Sequence, residues 1–132
     1  MGLGKSPVEN LVMTPDAAFW KDKRVLVTGH TGFKGSWLCH WLLRLGAKVS
    51  GLSLAPEGSP NLFTLLELDR RMKNHTVDLR DLAAVSATLA AEQPEIVLHL
   101  AAQALVRRSY RDPVETYASN VLGSVHLLEA VR

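Results

Sequence analysis

Gly29, Gly32 and Gly35 recur at every third position of Thr28-Gly29-His30-Thr31-Gly32-Phe33-Lys34-Gly35-Ser36. The run Arg24-Val25-Leu26-Val27-Thr28 before them is apolar and β-branched, and the residues after them open a helical pattern. A strand that turns on glycine into a helix leaves the first backbone N–H groups of that helix without partners, carrying roughly half a positive charge. Such a turn cradles a diphosphate. Each glycine then serves a separate purpose. Gly29 makes the tight turn, Gly32 lets a ligand approach the backbone, and Gly35 seats the helix on the sheet. A junction that merely tolerates glycine would explain the three residues, but not a strand and a helix placed correctly on both sides.

The elements that must hold this turn can be read outward from it. Residues 1–18, with Pro7 and Pro15 and no periodicity, form an irregular tail, and Phe19 and Trp20 anchor the first strand, Arg24–Thr28. A helix over 34–45 follows, with Trp37, Leu38, Trp41, Leu42 and Leu45 on its apolar side and Gly46 as its stop. Lys48–Ser53 suits a second strand, and Pro56, Gly58, Ser59 and Pro60 mark a loop. Residues 62–68 suit a short helix with Phe63, Leu65 and Leu66 inward; 73–77 is a weak exposed strand. A helix over 78–92 ends at Pro94, and 95–100 is a fourth strand, too continuously apolar to be covered on one face only. Asp112 caps the last helix, with Pro113 in its first turn and Glu115 three residues after the cap. Val114, Tyr117, Val121, Val125 and Leu128 stripe one face of that helix.

Right-handed crossovers turn this order into an α/β fold, a three-layer Rossmann-like doubly wound parallel sheet of strand order 3-2-1-4. The sheet is truncated after about four strands, where a complete domain of this kind has two or more further ones. Residues 19–132 therefore read as the N-terminal part of a dinucleotide-binding domain at the front of a longer chain. The crevice opens at the switch point between strands one and four.

Composition narrows the partners. Of 132 residues, 47% are hydrophobic and 21% charged, and the net charge is +2, which describes a globular domain and argues against nucleic acid. Arg70-Arg71-Met72-Lys73 and Arg107-Arg108 read as solvated loop charge. No window approaches ~20 uninterrupted apolar residues, so no membrane span is expected. One cysteine, Cys39, excludes an internal disulfide and suits a reducing, cytoplasmic setting; among apolar neighbours it reads as a buried small hydrophobe. No metal-ligand spacing is present. Gly4-Lys5-Ser6 imitates the end of a P-loop without the upstream glycine or strand, and Met1-Gly2 with Ser6 fits only the loose myristoylation pattern.

The glycine spacing resembles that of the extended short-chain dehydrogenase/reductase superfamily, as do Asp78-Leu79-Arg80-Asp81, Leu100-Ala101-Ala102-Gln103, Ser109-Tyr110 before Asp112-Pro113, and Asn120-Val121-Leu122-Gly123-Ser124. Val27 to Trp37 together with Leu52-Ser53-Leu54-Ala55-Pro56, Asn61-Leu62-Phe63 and Ala101 to Arg107 is similar, more narrowly, to the CDP-glucose 4,6-dehydratases. Relatives acting on GDP-mannose, dTDP-glucose or UDP-sugars share the framework. The resemblance implies that Gly29, Thr31, Gly32, Phe33, Lys34 and Gly35 hold the pyrophosphate of a dinucleotide. It implies that Asp78 and Leu79 meet its adenine, that Leu100, Ala101 and Ala102 lie along the nicotinamide-side ribose, and that Gln103 faces a nucleotide-sugar substrate. Asn120 matches a helix asparagine that supports a proton-relay water; the plainer reading is a helix-interior polar group satisfied by a backbone carbonyl. The resemblance also implies a homo-oligomer built on the last helix.

In such enzymes NAD removes hydride from the sugar C4, water leaves across C5–C6, and the hydride returns at C6. An acid about twenty residues past the glycines should grip the ribose 2′-hydroxyl, but the second strand ends on Leu52-Ser53-Leu54. Ser53 alone neither demands NAD nor repels NADP, and Lys34 would even favour the 2′-phosphate, so NAD rests on the resemblance and NADP stays open. The base expected of this chemistry is a Tyr-x-x-x-Lys. Tyr110 is followed at the fourth place by Val114, and Tyr117 by Val121. The cofactor half is therefore expected here without the catalytic half, leaving a non-catalytic nucleotide-binding fragment as the alternative.

Overall fold

The computed structural model describes residues 15–132; the P-loop imitation and the myristoylation pattern lie outside the described residues. Asp16 caps a helical turn, α1 (Ala17–Trp20), through a 2.9 Å bond from the Ala18 N–H, so regular structure reaches into residues expected to be irregular. Trp20 packs against the core while Phe19 meets it edge-on at 5.1 Å.

Four strands follow: β1 (Arg24–Thr28), β2 (Lys48–Ser53), β3 (Lys73–Thr76) and β4 (Ile96–His99). They form one parallel sheet of order β3-β2-β1-β4, the expected doubly wound topology. In β1, Val25 and Val27 face one layer and Leu26 and Thr28 the other, as strand alternation requires. All four are fully buried, and each large apolar side chain so placed stabilises the fold by about 1.5–3 kcal/mol. Cys39, Leu42, Val49, Phe63 and Leu68 complete the first cluster, and Leu52, Leu79, Val85, Leu89 and Leu127 the second. β4 is half-buried: Ile96 and Leu98 pack on the first layer and Val97 on the second, but its outer edge has no neighbour among the described residues.

The helices depart from expectation in instructive ways. α2 (Phe33–Arg44) buries Gly35, Ser36, Cys39 and Leu42, whereas Trp37 and Trp41 are half exposed. A Cβ on Gly35 would lie 2.1 Å from the Gly29 carbonyl oxygen. That close approach sets the rotation of the helix and turns both tryptophans outward. The expected helix over 62–68 is two single turns, α3 (Leu62–Leu65) and α4 (Leu68–Arg71), broken at Glu67, whose φ of 50° is left-handed. Phe63 is buried but Leu65 points outward. The helix expected from residue 78 is α5 (Leu82–Glu92), because Asp81 accepts the Ala84 N–H and starts it there. A short helix the periodicity did not disclose, α6 (Val106–Arg111), precedes the last one.

That last helix is α7 (Pro113–Tyr117), a π-helical turn (Ala118–Leu122) and α8 (Gly123–Val131) in series. Asp112 caps it through the Glu115 N–H at 3.0 Å, with Pro113 in the first turn. Gly123 and Leu127 face the core, while Val114, Tyr117, Val121, Val125 and Leu128 are all exposed. With Pro113, Ala118 and Leu122, the first four of them line an apolar groove of about 550 Å³. No helix of the described residues is long and apolar enough to cross a membrane.

Candidate functional site

The glycine turn leaves the carboxyl end of β1 between β2 and β4. Gly29 has a φ of 72° and donates its N–H to the Leu52 carbonyl at 2.9 Å. A Cβ there would stand 2.8 Å from the Ala101 backbone, so only glycine suits both the dihedral and the neighbour. Gly32 is open, since a Cβ there would come no closer to its surroundings than 3.4 Å. It is the N-cap of α2 and offers no side chain to the first turn, which also lacks an acidic residue. The helix N-terminus is thus left free for an anion. Phe33 and Lys34 lie exposed on that first turn. Ser36, fully buried, donates its hydroxyl to the His30 carbonyl at 2.9 Å and fixes the rear of the loop.

Thr31 is tied to the end of β2. Its hydroxyl donates to the Leu54 carbonyl at 3.0 Å, so the 2.8 Å contact with Ser53 is donated by Ser53. The Ser53 oxygen keeps its lone pairs for a further donor and has no proton left to offer. The chain runs on from β3 through Val77, whose N–H donates to the Ser53 carbonyl at 3.0 Å, into the turn that holds Asp78 and Leu79. Arg80 bonds the Asp78 carboxylate through its backbone N–H at 2.9 Å and its guanidinium at 2.5–3.0 Å. Those side-chain bonds hold the Asp78 carboxyl below its usual range, with partial burial opposing. Leu79 is buried, its carbonyl accepting the His126 Nδ1–H at 2.9 Å.

The chain after β4 passes directly over the glycine turn. Thr28 holds it there: the Leu100 and Ala101 N–H groups both donate to its hydroxyl oxygen at 3.1 Å. Ala102 is exposed and Gln103 half-buried. Asn120 clamps Gln103 from both sides, accepting its N–H at 2.7 Å and donating to its carbonyl at 3.1 Å. The Gln103 side chain is spent locally, donating to Thr116 at 3.0 Å and accepting the Leu105 N–H at 2.7 Å. Asn120 therefore meets a peptide group of the crevice loop, and this contact is what the π-helical turn presents to it.

Two histidines that sequence reasoning passed over frame this site. His30 is 2% exposed, its two ring nitrogens lack hydrogen-bond partners, and burial pushes its pKa down to about 4. Its ring lies on Gly51, where a Cβ would come within 2.3 Å, and edge-on to Phe63 at 5.4 Å. His99 pairs with Thr28 across β1 and β4; that register was the signal available, since Thr28 and His99 both end their strands. Cys39 is buried, and burial alone pushes its thiol up to about 12. Among the described residues no three His, Cys, Asp or Glu side chains converge as a metal site.

Known proteins resemble this chain over the same elements. The family described as GDP-mannose 4,6 dehydratase matches residues 26–132. A CDP-glucose 4,6-dehydratase of Salmonella typhimurium is 52% identical over 117 residues, covering 89% of this chain and 33% of that protein. A UDP-glucose 4-epimerase of Mycolicibacterium smegmatis is 39% identical over 83% of this chain and 34% of its own length. Among solved structures, the Thermus thermophilus UDP-glucose 4-epimerase in complex with NAD superposes with a TM-score of 0.72 at 38% identity, covering 81% of this chain and 33% of that one. The chain spans about a third of the length of these relatives.

Proposed function

The chain belongs to the GDP-mannose 4,6-dehydratase family, and from that premise we propose that it is the dinucleotide-binding N-terminal portion of a nucleotide-sugar 4,6-dehydratase. CDP-glucose is the favoured substrate, converted to CDP-4-keto-6-deoxyglucose; the 52% identity to a CDP-glucose 4,6-dehydratase supports that choice over GDP-mannose, dTDP-glucose and UDP-sugars. The observation that carries the reading is the uncapped start of α2 behind an open Gly32, with Gly29 in contact with Ala101. Gly29, Gly32, Phe33, Lys34 and Gly35 form the pyrophosphate turn. Asp78 and Leu79 serve the adenine, and Leu100, Ala101 and Ala102 the nicotinamide-side ribose. Gln103 lies toward the sugar, held by Asn120.

NAD is the cofactor and supplies transient oxidation of the sugar at C4. Thr31 and Ser53 favour it over NADP: with its proton committed to Thr31, Ser53 accepts from a ribose 2′-hydroxyl and gives a 2′-phosphate no donor. We assign the chain to the cytoplasm and its exposed last-helix stripe to contact with a second copy. No Tyr-x-x-x-Lys occurs in the 132 residues, which favours cofactor binding without turnover as the property of this polypeptide. Calorimetric titration tests the reading. NAD and ADP-ribose should bind, and NADP about tenfold more weakly for want of a hydrogen-bond donor. Absence of heat with ADP-ribose, or undiminished binding by Gly32→Val, would refute it. Conversion of CDP-glucose by this chain alone would refute the assignment to the cofactor half.

A further inference from the structure

The hydrogen bonds around His99 leave it one protonation state. The Ser124 hydroxyl donates to the Asn120 carbonyl at 2.7 Å, so its 2.9 Å contact with His99 Nε2 is donated by the ring. The Thr28 hydroxyl oxygen already accepts two N–H groups, from Leu100 and Ala101, so at 2.6 Å its proton goes to His99 Nδ1. The Ser124 end requires a proton on Nε2 and the Thr28 end a bare Nδ1, and together they select the neutral Nε2–H ring. A proton on Nδ1 would face an oxygen whose two lone pairs are taken, so the Ala101 N–H would have to let go, or the Leu100 N–H fall back on the Thr28 carbonyl it already shares at 3.3 Å.

We propose that His99 is a positioning residue: as the neutral Nε2–H tautomer it aims the Thr28 hydroxyl, which fixes Leu100 and Ala101 beside the glycine turn, and it ties that loop to the last helix through Ser124. This rests on the dinucleotide reading, because the loop it fixes is the one assigned to the nicotinamide-side ribose. The groups bonded to the ring are uncharged: Thr28 from β1 and Ser124 from α8, whose own proton goes to the Asn120 carbonyl of the π-helical turn. The other titratable group on α8 in this region, His126, is turned to the Leu79 carbonyl. Among the described residues no ion pair involves His99, and partial burial lowers its pKa, favouring the neutral form. Acidification is then a controlled loosening of the loop.

Two measurements on the 132-residue chain decide this. In a ¹⁵N NMR titration, His99 should show the Nε2–H tautomer at pH 7.5, and the Leu100 and Ala101 amides should shift with the same midpoint as its ring. An Nδ1–H tautomer, or loop amides indifferent to that midpoint, overturns the proposal without any ligand. Calorimetry with NAD and with ADP follows. The NAD-to-ADP affinity ratio should fall as His99 protonates, by about tenfold, the equivalent of one net hydrogen bond. It should stay flat in His99→Phe. A flat ratio in the parent overturns the proposal while leaving the dinucleotide reading standing. Failure of both ligands to bind overturns the dinucleotide reading, and with it the ribose role of the loop, while the NMR titration still decides whether His99 sets its position.

Discussion

Lowering the pH should destabilise this chain through His30 before its carboxylates are reached. The ring is 2% exposed, wedged between Gly51 and Phe63 with no partner for either nitrogen, and burial holds its pKa at about 4 against 6.5 for a free side chain. Above pH 6.5 the ring is neutral in folded and unfolded chains, so it contributes nothing to pH dependence. Between 6.5 and about 4 only the unfolded chain binds the proton, and stability must fall as pH falls; below about 4 the slope from this group vanishes. At about 1.36 kcal/mol per pH unit the whole loss is about 3 kcal/mol, of which about 1 kcal/mol has gone by pH 5.5. That is a large part of the margin of a small domain. Urea denaturation of the parent and of His30→Phe, at pH 7.5 and 5.5, isolates the term, since both chains share every other titrating group. The parent should lose about 1 kcal/mol more than the variant over that interval. Equal losses would refute the premise that His30 is buried neutral.

Four further outcomes follow from the geometry. Gly35→Ala places a methyl 2.1 Å from the Gly29 carbonyl oxygen, so backbone must move; a stability loss of about 1–3 kcal/mol by urea titration is expected, with weakened ADP-ribose binding. Gly51→Ala should be costly alone but mild beside His30→Ala, because the added methyl meets the His30 ring at 2.3 Å; a coupling of at least about 1 kcal/mol in the double-mutant cycle checks this. Asn120→Ala takes away the partner of both the Gln103 N–H and its carbonyl and should cost about 1–3 kcal/mol by the same titration. Val121→Glu, in the middle of the exposed stripe, should abolish concentration-dependent association in sedimentation velocity; a parent that is already monomeric at high concentration would contradict the interface.

Much of the architecture was legible because burial writes directly into residue type. β1 and β2 have the expected limits, since apolar runs between glycine signals have few alternatives, and the Asp112–Pro113–Glu115 start of the last helix is a local matter of capping. What could not be read depends on contacts across the fold. Trp37 and Trp41 follow helical spacing, but the approach of Gly35 to Gly29 rotates them to the surface. Residues 78–81 fit a helical pattern, yet Asp81 acts as the cap and keeps them outside the helix. The direction of the Ser53 proton and the state of His99 follow only from which partners already hold Thr31, Thr28 and Ser124. For the candidate site, the glycine turn was visible in one local motif, whereas its closure by Leu100 and Ala101 joins positions more than seventy apart in sequence.

The π-helical turn at Ala118–Leu122 acts as a phase shifter. Such a turn takes up one more residue than an α-helix would, and one residue is about 100° of helical rotation. Upstream and downstream halves of the rod are thereby indexed separately, so Asn120 can reach the Gln103 peptide group while Gly123 and Leu127 stay against the sheet. Excising a single residue there would straighten the rod and bring the two halves out of step with their partners. The irregularity, rather than any one side chain, is what allows a single helix to serve the crevice and the core at once.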